Sequence, residues 1–210
     1  MEGYKVFKIK MKRIIYTQRV ETVKSYGERR DCADQKIAEL IWECGYMPIA
    51  INNIPSRVQV FVENIKPEGI VLTGGNDLAA YGGDALERDE TETFLLQYGI
   101  EMNIPIYGFC RGMQSIANYF GMELVNISGH VATRHILVQS TLWEGREVNS
   151  FHNMAVKQIK DPFLVEARSN DGIIEAFRHK NRKIYATMWH PERENLYAIE
   201  DINYIKQIFS

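Results

Sequence analysis

The sequence predicts a three-layer α/β fold on a doubly wound, mostly parallel sheet, with antiparallel strands added toward the C-terminus. Three observations lead there. Short apolar runs alternate with amphipathic helical segments over the first 120 residues, the pattern of successive βαβ units. From Glu147 onward strand-like runs follow one another and are broken by a hairpin turn at His179–Arg182. Between these halves, the apolar run Ile104–Phe109 passes through Cys110 straight into a helix-like segment that Gly121 stops.

Taken in order, Arg13–Tyr16 reads as a first strand and Gln18–Arg30 as a polar, basic loop. Asp31 is expected to cap a helix whose buried face is Ile37, Leu40, Ile41 and Cys44, with Gly45 ending it. Met47–Ile51 is a second strand. Ser56 is expected to cap a short helix with Val58, Phe61, Val62 and Ile65 on one face, broken by Pro67 and Gly69. Gly69–Gly75 is a third strand ending in a glycine pair. A polar loop over Asn76–Asp89 and a helix over Glu90–Met102 lead to the Cys110 strand. In the second half, Glu147–Val156, Leu164–Ser169, Gly172–Arg178 and Lys183–Trp189 read as strands, and Glu194–Phe209 as the last helix. Without a repeat, linker or low-complexity stretch, residues 1–210 read as one domain.

Composition narrows the function classes. The 210 residues are 45% hydrophobic and 25% charged, with a net charge of -2, which suits an ordinary core and gives no basic surface for nucleic acid. No apolar run reaches the roughly 18 residues of a membrane span. Met1–Met11 is charged and amphipathic, with no secretory apolar region. Three cysteines, Cys32, Cys44 and Cys110, suggest reduced thiols in a cytoplasmic protein, and they lack zinc spacing. Neither a metal nor a cofactor is expected, and no phosphate-cradling loop is present.

A thiol at a strand–helix bend meets unpaired N–H groups and the positive end of a helix dipole, which favour its thiolate. Gly108 and Gly112 flank the bend and are expected to permit it and to let backbone approach a ligand. A nucleophile needs a base and a group that orients the base. His190, in Met188-Trp-His-Pro-Glu192, follows an apolar strand, and Glu192 stands close enough in sequence to fold back onto its ring. The backbone N–H groups of Arg111 and Gly75 are candidates for an oxyanion hole, since both open at the carboxyl ends of parallel strands.

Each residue also has a plainer reading. Cys110 alone could be a buried structural thiol, Glu192 a helix-start acid, Gln114 a first-turn polar residue and Gly74-Gly75 a tight turn. Cys32 and Cys44 read as helix residues in or near the core. His130, His135 and His152 read as solvated or structural, and His179 as an exposed turn residue. The basic stretch containing Arg19, Lys24, Arg29 and Arg30 reads either as a solvated face or, since it follows a strand end, as a site for an anionic leaving group such as phosphate, with Arg134 a weaker addition.

Gly108-Phe-Cys-Arg-Gly-Met-Gln114, Thr73-Gly-Gly-Asn-Asp77 and Trp189-His-Pro-Glu192 together resemble the class I glutamine amidotransferases, a flavodoxin-like fold with a Cys-His-Glu triad. Gln18-Arg-Val, Gly27-Glu-Arg-Arg-Asp31, Val148-Asn-Ser-Phe-His152 and Asn170-Asp-Gly-Ile-Ile-Glu-Ala176 are similar to the stand-alone γ-glutamyl hydrolase branch, such as the γ-glutamyl-γ-aminobutyrate hydrolases. The resemblance implies a γ-glutamyl thioester on Cys110, with His190 and Glu192 completing the triad. It implies that Gln114 contacts the bound glutamyl group and that Asn149, Ser150 and Phe151 lie in the loop holding its α-amino and α-carboxylate ends. Arg19 and Arg29 would meet an anionic leaving group, a nucleotide phosphoramidate being the best candidate. The implied partner is a small γ-glutamyl substrate, not nucleic acid or membrane. A glutaminase serving a separate synthetase is the alternative, and a homodimer is left open. The chain is shorter than many of this branch, which puts the length of its lid loops and its substrate range in question.

Overall fold

The computed structural model describes residues 10–210, so most of the N-terminal stretch Met1–Met11 lies outside the described residues. The chain order is β1 (Arg13–Tyr16), β2 (Arg19–Val23), β3 (Glu28–Cys32), α1 (Gln35–Glu43), β4 (Met47–Ala50), α2 (Pro55–Ile65), β5 (Gly69–Leu72), α3 (Leu86–Glu101), β6 (Ile106–Phe109) and α4 (Arg111–Tyr119). There follow β7 (Leu124–Asn126), β8 (Val131–Val138), β9 (Glu147–Phe151), β10 (Met154–Val156), β11 (Phe163–Ser169), β12 (Ile174–His179), β13 (Ile184–Thr187) and α5 (Ile199–Phe209).

Among the described residues, nine strands form the central sheet, in the order β4-β1-β5-β6-β13-β12-β11-β8-β9. The run from β4 to β13 is parallel, and the pairings from β13 to β9 are antiparallel. The fold is therefore the expected α/β architecture: a large mixed sheet with a parallel half, flanked by helices.

Register explains the core. Ile15 pairs with Ile70, Ile70 with Ile106, and Ile106 with Ile184, so one isoleucine from each of four parallel strands lies in a row across the sheet. Side chains alternate between faces along a strand, so this row enters the cluster shared with Val58 and Val62 of α2, Leu95 and Leu96 of α3 and Ile116 of α4. The neighbouring residues Ile14, Val71 and Tyr107 face the other way, against Ile37 and Leu40 of α1 and Ile205 and Phe209 of α5. Helix α3 and the sheet approach closely because Gly99 has no side chain; a Cβ there would lie 2.8 Å from Ile106 Cδ1.

Several local expectations change. Gln18–Arg30 is not a loop: β2 and β3 pair as an antiparallel hairpin outside the main sheet, turning at Gly27, whose φ is +73°. Its charged residues lie on an exposed ribbon, so no apolar alternation marks it. Asp31 lies on β3 and accepts from Asn53; Asp34 is the cap of α1, accepting from the Lys36 N–H at 3.0 Å. Ser56 does not cap α2, which begins with Pro55 at its first position. Cys32 lies on a strand instead of a helix. Strands β7 and β8 come in addition to the expected elements, and Glu147–Val156 divides into β9 and β10, which belong to different sheets. His179 is buried, its Nδ1 accepting from the N–H groups of Asn181 and Arg182. Helix α5 starts later than expected, after a 3₁₀ turn at Pro191–Arg193. Among the described residues, no helix is long and apolar enough to cross a membrane.

Candidate active site

The carboxyl ends of β5, β6 and β13 bring Gly74-Gly75, Cys110 and His190 together. Cys110 occupies the step between β6 and α4 with φ 51° and ψ -111°, a conformation costly for any residue with a side chain. Its N–H donates to Thr187 O at 2.9 Å, which ties the step to β13. The flanking glycines work differently from expectation. Neither Gly108 nor Gly112 has a positive φ. Instead, a Cβ on Gly112 would lie 2.0 Å from Leu72 O, and one on Gly108 would lie 2.6 Å from Gly112 O. They let α4 press against the strands, and the strain falls on the cysteine itself.

Cys110 sits beside the His190 ring and favours its charged form, and Nδ1 of that ring lies 2.6 Å from Glu192 Oε1. With Nδ1 engaged by Glu192, Nε2 is the nitrogen left for the sulfur. All three residues are buried. Burial works against a charged imidazole, but Cys110 and Glu192 outweigh it and raise the His190 pKa to about 9. The ring is further held by contact with Phe109 and Phe151. A Cβ on Gly74 would lie 2.7 Å from His190 Cε1, so glycine is needed there to seat the imidazole.

A cavity of about 270 Å³ opens beside the sulfur, lined by Gly75, Asn76, Asp77, Cys110, Arg111, Gln114, Phe151, His152 and Asn153. Gly75 and Arg111 thus share the cavity wall with Cys110. Gln114 also lines the cavity, and its Nε2 donates to Met154 O at 3.3 Å. Phe151 forms part of the wall and carries the Arg193 guanidinium 4.5 Å above its ring.

The Asn149 and Ser150 side chains make framework contacts. Asn149 Nδ2 donates to His190 O at 2.8 Å and to Glu194 Oε1 at 2.9 Å, while its Oδ1 accepts from His190 N at 3.0 Å. Ser150 is fully buried and donates to His130 O. Their side chains support the framework and do not line the cavity. The two arginines also part company. The Arg19 stem passes Gly75, its Cδ only 2.9 Å from where a Gly75 Cβ would stand, and its head pairs with Glu21 at 2.7 Å. Arg29 is turned to Glu87, at 2.5 Å, and to Asp84 O, and does not line the cavity. Arg30 pairs with Glu28, and Arg134 with Glu147 and Glu194.

One part of the site escapes a reading of the sequence. Arg88, fully buried on α3, donates to the carbonyls of Thr73 (2.8 Å), Gly74 (3.0 Å) and Gly75 (2.7 Å) and to Glu92 (2.9 Å). The Arg111 guanidinium pairs with Glu92 and Asp89. Burial and the neighbouring Arg111 charge lower the Arg88 pKa to about 10, and the two arginines hold the Glu92 carboxyl below its usual range against its burial. This network fixes the glycine loop from behind. Its one signal is the pair Arg88 and Glu92 at helical i,i+4 spacing, hidden because that turn reads as a polar loop.

The glutamine amidotransferase class-I family model matches residues 30–198. The chain belongs to the class I glutamine amidotransferase family. Within the family it is 31% identical to γ-glutamyl-CDP-amidate hydrolase of Campylobacter jejuni, over 92% of this chain and 96% of that protein. It is 29% identical to a glutamine-hydrolysing GMP synthase subunit of Pyrococcus furiosus, over 70% of this chain and 78% of that one. A crystal structure of a candidate GMP synthase subunit from Thermoplasma acidophilum superposes with a TM-score of 0.72, covering 96% of this chain and 95% of that one at 22% identity. That likeness shows the shared fold. Family and relatives together make the chain an amidohydrolase of the glutamine amidotransferase class.

Proposed function

We propose that the chain is a free-standing γ-glutamyl amide hydrolase whose triad is Cys110, His190 and Glu192. The observation that carries this is Cys110 beside the His190 ring, whose Nδ1 is held by Glu192, at the edge of a polar cavity. The Cys110 thiolate attacks the γ-carbonyl carbon, and the oxyanion that forms is held by the N–H groups of Gly75 and Arg111. Imidazolium His190 gives its proton to the leaving nitrogen as the C–N bond breaks, leaving a γ-glutamyl thioester. The neutral ring then takes a proton from water. The resulting hydroxide adds to the thioester, and expulsion of the thiolate releases glutamate. Glu192 orients the ring and stabilises its positive charge throughout.

The substrate is a small γ-glutamyl amide with an anionic leaving group, best represented by γ-glutamyl-CDP-amidate. The support is the similarity to the Campylobacter jejuni hydrolase over nearly the whole of both chains and the position of Arg19 beside Gly75. Gln114 and Phe151 are the residues we assign to the glutamyl group. The whole chain acts as one catalytic domain in the cytoplasm, with a role in capsule polysaccharide synthesis following from the proposed substrate. The test is release of free glutamate by the purified chain from glutamine, γ-glutamyl amines and a γ-glutamyl nucleotide phosphoramidate. Preference for the phosphoramidate supports the reading; turnover of glutamine alone refutes the anionic substrate.

A second reading is a glutaminase that passes ammonia to a separate synthetase, favoured by the similarity to the GMP synthase subunit of Pyrococcus furiosus. Robust turnover without any partner would exclude it.

A further inference from the structure

Behind the cavity wall, three imidazoles converge on one carboxylate. Glu175 on β12 is fully buried, and its Oε1 lies 3.2 Å from His135 Nε2, 3.6 Å from His152 Nε2 and 3.7 Å from His130 Nδ1. Among the described residues, neither Glu175 oxygen has a hydrogen-bond partner, nor does His152 Nε2 or either ring nitrogen of His135. Buried polar atoms are rarely left so, because each costs free energy.

The outward nitrogens of two rings fix their inward ones. His152 Nδ1 lies 2.9 Å from Met154 O, a carbonyl that only accepts, so the proton sits on Nδ1. His130 Nε2 lies 2.9 Å from Asp171 Oδ2, whose other oxygen accepts from Ser169 Oγ. In the neutral rings, His152 Nε2 and His130 Nδ1 therefore carry lone pairs near an anionic oxygen, with Ser150 Oγ also 3.5 Å from His130 Nδ1. That opposition is repulsive unless a cation lies between. Metal-binding histidines are oriented in the same way, giving their outer N–H to a carbonyl or carboxylate. The spacing also suits a metal. The ligand atoms of His130, His152 and Glu175 all lie within 4.8 Å of one another, and ligands ~2.0–2.1 Å from a tetrahedral zinc sit roughly 3.3 Å apart.

We propose that His130, His152 and Glu175 bind a divalent transition ion of the zinc class behind the cavity wall, the fourth position being left to water. His152 and Asn153 line the cavity with Cys110, so the ion would brace the link between β9 and β10. It holds that wall in place and takes no part in the chemistry at the sulfur. No short-range motif announces the site, because its ligands come from the residue just before β8, the residue just after β9 and from β12.

The test is titration of the chelator-treated, dialysed full chain with Zn²⁺ and with Co²⁺, read by bound metal per chain, by visible absorption of the Co²⁺ form and by melting temperature. The expected result is one ion per chain, an intense tetrahedral-type Co²⁺ spectrum and a Zn²⁺-dependent rise in melting temperature. Binding is lost in Glu175→Gln and His152→Ala. Asp171→Asn, at a more exposed partner of His130, keeps the fold and weakens binding by about 10–100-fold. No stoichiometric binding by the native chain, an octahedral-type spectrum, or equal binding by native protein and Asp171→Asn with either ligand variant would overturn the proposal. In the first of those cases, protons shared among the imidazoles would be the cations that Glu175 faces.

Discussion

Asn149 and His190 exchange two hydrogen bonds, the amide of one closing on the peptide N–H and C=O of the other at 3.0 and 2.8 Å. The His190 ring is thus fixed through its backbone as well as through Glu192. Asn149→Ala removes both bonds, and unsatisfied buried groups cost about 1–3 kcal/mol each. The expected result is a kcat lowered by roughly 10–100-fold with KM little changed, measured by glutamate release. A rise in KM alone would return Asn149 to the substrate.

Cys110→Ala is expected to abolish hydrolysis while the protein still folds. Cys110→Gly is expected to raise the melting temperature as well, because φ 51° and ψ -111° suit glycine and not a residue with a Cβ. The relief is about 1–3 kcal/mol, offset in part by the greater freedom of the unfolded chain. Calorimetry of both variants beside the native chain checks this; residual turnover in Cys110→Ala would remove the nucleophile assignment.

The pH dependence follows from His190. Its pKa is raised to about 9 in the folded chain, from an ordinary value of 6.5. The charged ring therefore contributes stability in full below the ordinary value, and this is lost as pH rises through about 9. The leaving-group proton disappears over the same range, so kcat/KM is expected to fall on the alkaline side near pH 9. Glu192→Gln should move that limb to lower pH. An unmoved limb would assign it to another group.

Arg88→Met leaves the Thr73–Gly75 carbonyls without their donor and removes one of the two cations facing Glu92. Breaking a buried pair costs about 3–5 kcal/mol. Denaturant unfolding should show that loss, and turnover should fall with it, since the glycine loop is no longer held.

The two hairpin arginines are expected to differ. Arg19→Ala should raise KM for a phosphate-bearing substrate more than for glutamine, because Arg19 passes Gly75. Arg29→Ala should leave both KM values close to native, since its exposed pair with Glu87 holds hairpin to helix and is worth only ~0–1 kcal/mol. Equal effects of Arg19→Ala on both substrates would remove the phosphate role.

Much of this architecture is legible in the chain itself. Ile15, Ile70, Ile106 and Ile184 announce buried parallel strands because both faces of such strands are covered. The Cys110 bend is readable from a strand running into a helix with glycines on either side. The hairpin is not, since Arg19, Glu21, Arg29 and Arg30 carry no apolar alternation. Nor are Arg88 and Asn149, whose importance lies in carbonyls and peptides contributed by residues distant in sequence. The strand-end histidines give no hint of gathering around Glu175, because register across antiparallel strands, and not spacing along the chain, brings them together.

The hairpin itself is held by side-chain anchors and not by the sheet, with Asn53 donating to both carboxylate oxygens of Asp31. Asn76 grips Val20 through both its backbone groups, and Arg29 reaches Glu87, while the nine-stranded sheet makes no ladder with either hairpin strand. Such a peripheral flap is a replaceable module. Exchanging it for one of another length or charge would change what stands over Gly75 while the ladders of the main sheet stay as they are.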